Sequence, residues 1–229
     1  ALAAMPFVLP IAHIHGGETT EGAIDEAIRH SLSKLSHIHF ATTEKHANRI
    51  IQLGEEPWRV HVVGAPALDT ILKKERSCND VSFDTDKPFI LCTYHPVTLN
   101  FKDTALDFQK VLNALHLARL PVIFTYPNSD TNGRVIIKMI EEFLITHKTS
   151  MAFDHLGIER YSMLMRKASV VVGNSSSGII EAGSFPTPVV NIGDRQKGRV
   201  CGENVISTAC VESNIILSIK KALTPDFKI

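Results

Sequence analysis

Val170-Val171-Val172-Gly173-Asn174-Ser175-Ser176-Ser177-Gly178-Ile179-Ile180-Glu181 is the stretch that decides the fold. Three β-branched residues in a row read as a strand covered on both faces, and the small residues after them turn the chain straight into a helix. A unit of this kind belongs to a parallel α/β sheet, in which ligands sit at the carboxyl ends of the strands. The turn itself suits an anion. Gly173, Ser175 to Ser177 and Gly178 let backbone come close, the hydroxyls donate, and the free N–H groups of the next helix point the same way. Glu181 falls near the first turn, where a carboxylate can accept from the two hydroxyls of a ribose. The plainer alternative is a serine-rich turn that only caps its helix.

The alternation continues outward on both sides. Toward the C-terminus a strand at 189–192 follows. Toward the N-terminus strands at 151–153, 122–125 and 89–93 are separated by helical segments. Further back come strands at 7–14, 37–41 and 60–63, and helices at 22–36, 44–53 and 66–74, with Thr43 as an N-cap. The polar, aperiodic text around 75–87 divides the two sets. The expected organisation is therefore a first unit over 1–75, a linker over 76–87 and a second, nucleotide-binding unit over 88–229. The chain starts on an apolar piece without Met and ends just after an amphipathic helix, so a fragment is expected at both ends.

Composition removes several functions. The 229 residues carry 24 Lys plus Arg against 24 Asp plus Glu, and 44% hydrophobic side chains. That balance, without a basic block interleaved with aromatics, argues against nucleic acid as a partner. No run of 18 apolar residues exists, so no membrane span is expected. Cys78, Cys92, Cys201 and Cys210 have neither zinc spacing nor a disulfide pattern, and read as cytoplasmic thiols. With no Walker lysine and no GxGxxG, ATP hydrolysis and NAD binding lose ground.

Other strand ends carry polar groups. His13-Ile14-His15-Gly16-Gly17-Glu18 follows the first strand, with Asp25 at the start of the next helix. Two histidines spaced by two would share a strand face and could hold a metal with Glu18, but nothing else supplies matching ligands. No metal and no cofactor are expected. Glu18 and Asp25 are the better acid/base candidates. His95, in Thr93-Tyr94-His95-Pro96-Val97-Thr98, is kept out of helical geometry by Pro96, and Tyr126-Pro127-Asn128-Ser129-Asp130 makes a similar rim. Gly193-Asp194-Arg195-Gln196-Lys197-Gly198-Arg199 puts three cations on one loop, where they could neutralise a diphosphate or simply be solvated.

Taken in order, these six motifs resemble the hydrolysing UDP-N-acetylglucosamine 2-epimerases of sialic acid synthesis, over nearly the whole chain. The non-hydrolysing relatives fit less well, because His15 stands where they carry Glu in a His-x-Glu-Ala-Gly segment. The resemblance implies two Rossmann-like doubly wound domains facing a cleft, a glycosyltransferase B-like arrangement, with the N-terminal domain incomplete here. It implies conversion of UDP-N-acetylglucosamine and water to UDP and N-acetylmannosamine without metal or redox cofactor, and a homo-oligomer. Glu18, Asp25 and His95 are then the expected catalytic residues. His15, Asn128, Ser175, Ser176, Gly178, Glu181 and Arg199 are the expected UDP-sugar contacts. The family's Gly-Asp-Arg segment with its catalytic aspartate should precede Ala1, so the chain alone is expected to be inactive. A glycosyltransferase of the same architecture, a UDP-sugar sensing domain, or an epimerase acting on a UDP-bacillosamine derivative are the other readings.

Overall fold

The computed structural model describes residues 1–73, 83–97, 102–129 and 131–227. Most of the expected linker with Cys78, and Thr98, Asp130 and the last two residues, lie outside the described residues.

Two parallel sheets make up the molecule. The first has strands β1 (Ala12–Ile14), β2 (Ile38–Ala41) and β3 (Val60–Val62) in that order. Helices α1 (Asp25–Lys34), α2 (Glu44–Gln52) and α3 (Pro66–Lys73) follow the three strands. Thr43 caps α2 as expected, its hydroxyl accepting the His46 N–H at 3.3 Å. Two expectations need correction. The strand foreseen at 7–14 is three residues long, because a 3₁₀ helix runs over Leu2–Phe7, Val8 turns left-handed and Pro10 has no N–H to pair. The helix foreseen from 22 starts only at Asp25, since Gly22 is packed against the Asp194–Arg195 backbone of the other sheet's loop.

The second sheet holds β4 (Ile90–Thr93), β5 (Val122–Thr125), β6 (Met151–Phe153), β7 (Val170–Gly173), β8 (Val189–Ile192) and β9 (Val205–Thr208), all parallel. Their order is β6-β5-β4-β7-β8-β9. Counted from β4 this is the 3-2-1-4-5-6 winding of a dinucleotide-type sheet, whose strand order reverses between β4 and β7. The strand β9 was not foreseen; its half-exposed, mixed text Val-Ile-Ser-Thr lacks the apolar run that marks the central strands.

Helices α4 (Thr104–Ala118), α5 (Gly133–Thr146), α6 (Gly157–Lys167), α7 (Ser176–Ile180) and α8 (Glu212–Ala222) complete the unit. The strands point alternate residues into two separate cores. Ile90 and Cys92 meet Phe108, Val111, Leu115, Ile136, Ile140, Ile215 and Ile219 from α4, α5 and α8. Phe89 and Leu91 meet Leu164, Met165 and Phe185, and with them Ile71 of α3. The helix that the sequence places in the first unit thus contributes to the second unit's core. At about 1.5 to 3 kcal/mol for each fully buried large apolar side chain, these two layers hold the sheet between its helices. Among the described residues no helix is long and apolar enough to cross a membrane.

Candidate functional site

An open pocket of about 530 Å³ lies at the carboxyl ends of β4, β5, β6 and β7, beside the reversal of strand order. Its floor comes from the β7–α7 turn. Gly173 sits at φ 143°, and a Cβ there would fall 2.0 Å from the Thr93 carbonyl oxygen, so only glycine lets β7 leave the sheet this close to β4. Ser175 caps α7, its hydroxyl accepting from the Ser177 N–H and hydroxyl at 3.4 and 2.9 Å. Behind it the Tyr161 hydroxyl bonds Ser177 at 2.7 Å and Thr93 at 3.3 Å. The serines are therefore held in place rather than loose on a solvated turn.

His95 and Asn128 line the same pocket. The His95 backbone is clamped by Asn174, whose Oδ1 accepts its N–H at 2.7 Å and whose Nδ2 donates to its carbonyl at 2.8 Å. The ring Nδ1 accepts the Asn128 N–H at 3.2 Å. That contact leaves the ring proton on Nε2. Burial, and then the charge of Arg195, bring the imidazole down to about 4. At neutral pH His95 is a neutral Nε2–H donor. Glu181 also lines the pocket, and burial raises its carboxyl above the usual range. It stands at the C-cap of the five-residue α7, not in the first turn of a longer helix, because the chain tightens into a 3₁₀ turn at Ala182–Ser184.

The cation at this pocket is Arg195. Its Nη1 donates to the Asn174 carbonyl at 3.1 Å, joined there by Gln196 Nε2 at 2.9 Å. Arg199, the expected diphosphate ligand, points elsewhere. Its Nη1 lies 2.8 Å from Glu18 Oε2, the two side chains being 9% and 4% exposed. Glu18 also bonds His15 Nδ1 at 2.7 Å and accepts the Thr42 hydroxyl at 3.1 Å. Burial pushes its carboxyl up, but the His15 hydrogen bond and the Arg199 charge outweigh it and hold it at about 2.

His13 and His15 do not form a pair on one strand face. His15 lies past the end of β1 at φ 63° and serves Glu18, while His13 Nδ1 meets the Ser33 hydroxyl at 3.1 Å. Among the described residues no group of three or more His, Cys, Asp or Glu could hold a metal. Asp25 is exposed at the start of α1, near enough for its charge to act on Arg199. The loops that follow β1 and β8 touch directly. The Glu21 N–H donates to the Lys197 carbonyl at 3.3 Å and its carboxylate faces Lys197 Nζ at 3.4 Å.

Sequence reasoning named Arg195 among three loop cations but chose Arg199 for the diphosphate, and it missed Tyr161 as the hydroxyl behind the cradle. The strand-end rule could not find Tyr161, which comes from the middle of α6.

A family model described as UDP-N-acetylglucosamine 2-epimerase matches residues 1–228. A UDP-N,N'-diacetylbacillosamine 2-epimerase (hydrolyzing) of Legionella pneumophila is 40% identical over 228 residues, covering 97% of this chain and 60% of that protein. A UDP-N-acetylglucosamine 2-epimerase of Neisseria meningitidis is 33% identical over 216 residues, covering 93% and 56%. The chain thus spans somewhat over half the length of these relatives. A crystal structure of UDP-GlcNAc 2-epimerase from Neisseria meningitidis bound to UDP-GlcNAc superposes with TM-score 0.80 at 21% identity, covering 99% of this chain and 65% of that one. At that identity the likeness speaks for the fold, two Rossmann-like α/β units of the glycosyltransferase B-like kind.

Proposed function

The chain belongs to the UDP-N-acetylglucosamine 2-epimerase family, and on that premise we propose that it is the larger part of a hydrolysing 2-epimerase acting on a UDP-linked 2-acetamido sugar. The observation that carries the reading is the pocket at the strand-order reversal. There a fixed serine turn, Glu181, a neutral His95 and Arg195 converge on one volume of nucleotide-sugar size.

The chemistry constrains the roles. A C2 proton with no adjacent carbonyl is not removed by a base alone, so departure of the diphosphate from C1 has to run with it. Backbone N–H groups of the Ser175 to Gly178 turn, with Asn128 and Arg195, take up the charge that the leaving oxygen gains. His95 Nε2–H adds a neutral hydrogen bond to the same phosphates. Glu181 accepts from the ribose hydroxyls. Glu18, held ionised at neutral pH by His15 and Arg199, accepts the C2 proton as the C1–O bond breaks, giving UDP and a 2-acetamidoglucal. Water then adds its hydroxyl to C1 and a proton reaches C2 from the opposite face, with Asp25 as the second carboxylate of the pair. His15 orients Glu18.

Substrate identity divides into two readings. UDP-N-acetylglucosamine is the substrate that the motif resemblance points to, giving N-acetylmannosamine. A UDP-diacetylbacillosamine derivative is supported by the higher identity of the relative so named, 40% against 33%. The full-length protein carrying this chain should be given each UDP-sugar, with UDP and free sugar measured together. Release of both products in equal amounts from either substrate supports the hydrolysing reaction, and the faster substrate decides between the readings. Transfer of the sugar to an added acceptor, or an interconverted UDP-sugar without release of UDP, would refute it. Among the described residues Cys92, Cys201 and Cys210 are free thiols, which fits a cytoplasmic setting for the same reaction.

A further inference from the structure

We infer that Arg199 is a positioning residue for Glu18, reaching from the loop after β8 to fix the carboxylate carried by the loop after β1, so that this proposed base is complete only when the two sheets are docked. The inference rests on the function proposed above for Glu18.

Geometry separates Arg199 from the nucleotide pocket. Arg195 and Arg199 share one loop but serve two places: the first lines the pocket and bonds the Asn174 carbonyl, the second closes on Glu18 at 2.8 Å. Neither Arg199 nor Glu18 is among the residues that line the pocket, so the pair stands beside it. Glu18 is held from three directions, by His15 Nδ1 on its own loop, by the Thr42 hydroxyl after β2 and by Arg199 from the opposite sheet. The first two belong to the first sheet, so they hold the carboxylate whatever the second sheet does. Arg199 is the group from the second sheet that touches the carboxylate itself.

The docking is built for close approach. A Cβ on Gly22 would lie 2.8 Å from both the Arg195 Cα and the Asp194 carbonyl, so the loop after β1 rests on the backbone of the loop after β8. The Glu21 to Lys197 backbone bond ties the same two loops. A guanidinium on a loop pinned at both ends presents its N–H groups in a fixed fork, which suits it to orienting a carboxylate. The groups facing Glu18 are His15, His46 and Arg199; Arg29, Arg195 and Asp25 act on Arg199 in turn. With Arg199 gone, Glu18 keeps the hydrogen bonds of His15 and Thr42 but loses its one cross-sheet cation, and its burial favours the protonated form. A protonated Glu18 cannot accept the C2 proton.

The test uses full-length protein with Arg199→Ala and Arg199→Lys. In Arg199→Ala turnover should fall on the order of 10²-fold, UDP affinity by calorimetry should stay within about twofold, and the acid limb of the kcat–pH profile should move to higher pH. Added guanidinium should restore part of the activity. Arg199→Lys, which keeps the charge and is the less disruptive change, should show a smaller shift in the same direction. A parallel loss of UDP affinity would make Arg199 a nucleotide ligand and overturn the inference, as would an acid limb that stays in place. Carbon-13 NMR titration of the Glu18 carboxyl, assigned with Glu18→Gln, gives a readout independent of turnover. If the wild type hydrolyses no UDP-sugar but the Glu18 titration still moves up in Arg199→Ala, the functional reading fails and the Arg199–Glu18 coupling stands. If the titration does not move, the coupling itself is wrong.

Discussion

Glu181 is the carboxylate most exposed to a simple test, because burial raises its pKa and it lines the pocket just past the cradle helix. Hydrogen bonds from two ribose hydroxyls to an ionised acceptor are worth about 1.5 to 3 kcal/mol together, so Glu181→Ala should weaken UDP binding roughly 10- to 100-fold while changing the chemical step much less. Calorimetry on the variant decides it, and unchanged affinity removes the ribose assignment. Glu18→Gln should behave in the opposite way. UDP affinity stays, turnover drops on the order of 10²-fold, and solvent-deuterium incorporation at C2 of the product drops with it. The sequence singled out both, Glu18 in the loop after the first strand and Glu181 beyond the turn after β7, and the structure puts Glu181 at the C-cap of α7. The split between Arg195 and Arg199 was not legible there. They stand four apart on one loop, and only the path of that loop, fixed by its contact with Gly22, decides which one turns to the pocket.

At the level of elements, the β7–α7 turn holds the site together through one close approach. Gly173→Ala would put a methyl 2.0 Å from the Thr93 carbonyl oxygen at a φ of 143°, so β7 must shift away from β4 or lose its pairing there. We expect the variant to be destabilised by about 2 to 4 kcal/mol, in the upper range for a single substitution, with UDP binding lost at temperatures where it still folds. Denaturant melts with and without UDP measure both, and a variant that binds UDP normally would show that the cradle tolerates the shift. The central strands could be read because they are apolar runs covered on both sides. The strand β9 could not, because an edge strand with exposed Ser207 carries a weaker pattern. The short 3₁₀ turn after α7 also left no periodic trace, which is why Glu181 was placed in a helix that had already ended.

For the molecule as a whole, acid should be the solvent condition that matters most. His13, His39, His46 and His95 are all buried or half-buried with lowered pKa values, and burial is the first cause in each. The unfolded chain takes up protons at these positions near pH 6.5, while the folded chain refuses them until a lower pH, about 4 for His95. Stability from these groups is complete above pH 6.5 and drains away as pH falls toward the folded values; for His95 alone the difference is on the order of 3 kcal/mol. Glu18 adds a second, lower window. Its folded value near 2 means that its contribution is intact above the ordinary carboxylate range and is lost between about 4.5 and 2. The two windows join, so the denaturation midpoint should begin to fall just below pH 6.5 and keep falling, instead of holding to pH 5 as it does when only carboxylates titrate. Three of the four histidines belong to the first sheet and its helix α2, with His13 on Ser33, His46 Nδ1 on the Thr42 hydroxyl at 2.7 Å and His39 Nε2 3.4 Å from Glu55. That sheet should therefore loosen first. Hydrogen exchange at pH 5.5 against pH 7.5 should show protection lost in β1, β2 and α2 before it is lost in β4, β7 and β8, while UDP, bound on the second sheet, protects the second set more than the first. Equal loss across both sheets, or a midpoint that is flat from pH 7 to 5, would mean that the buried histidines find partners in their charged form and do not govern acid stability.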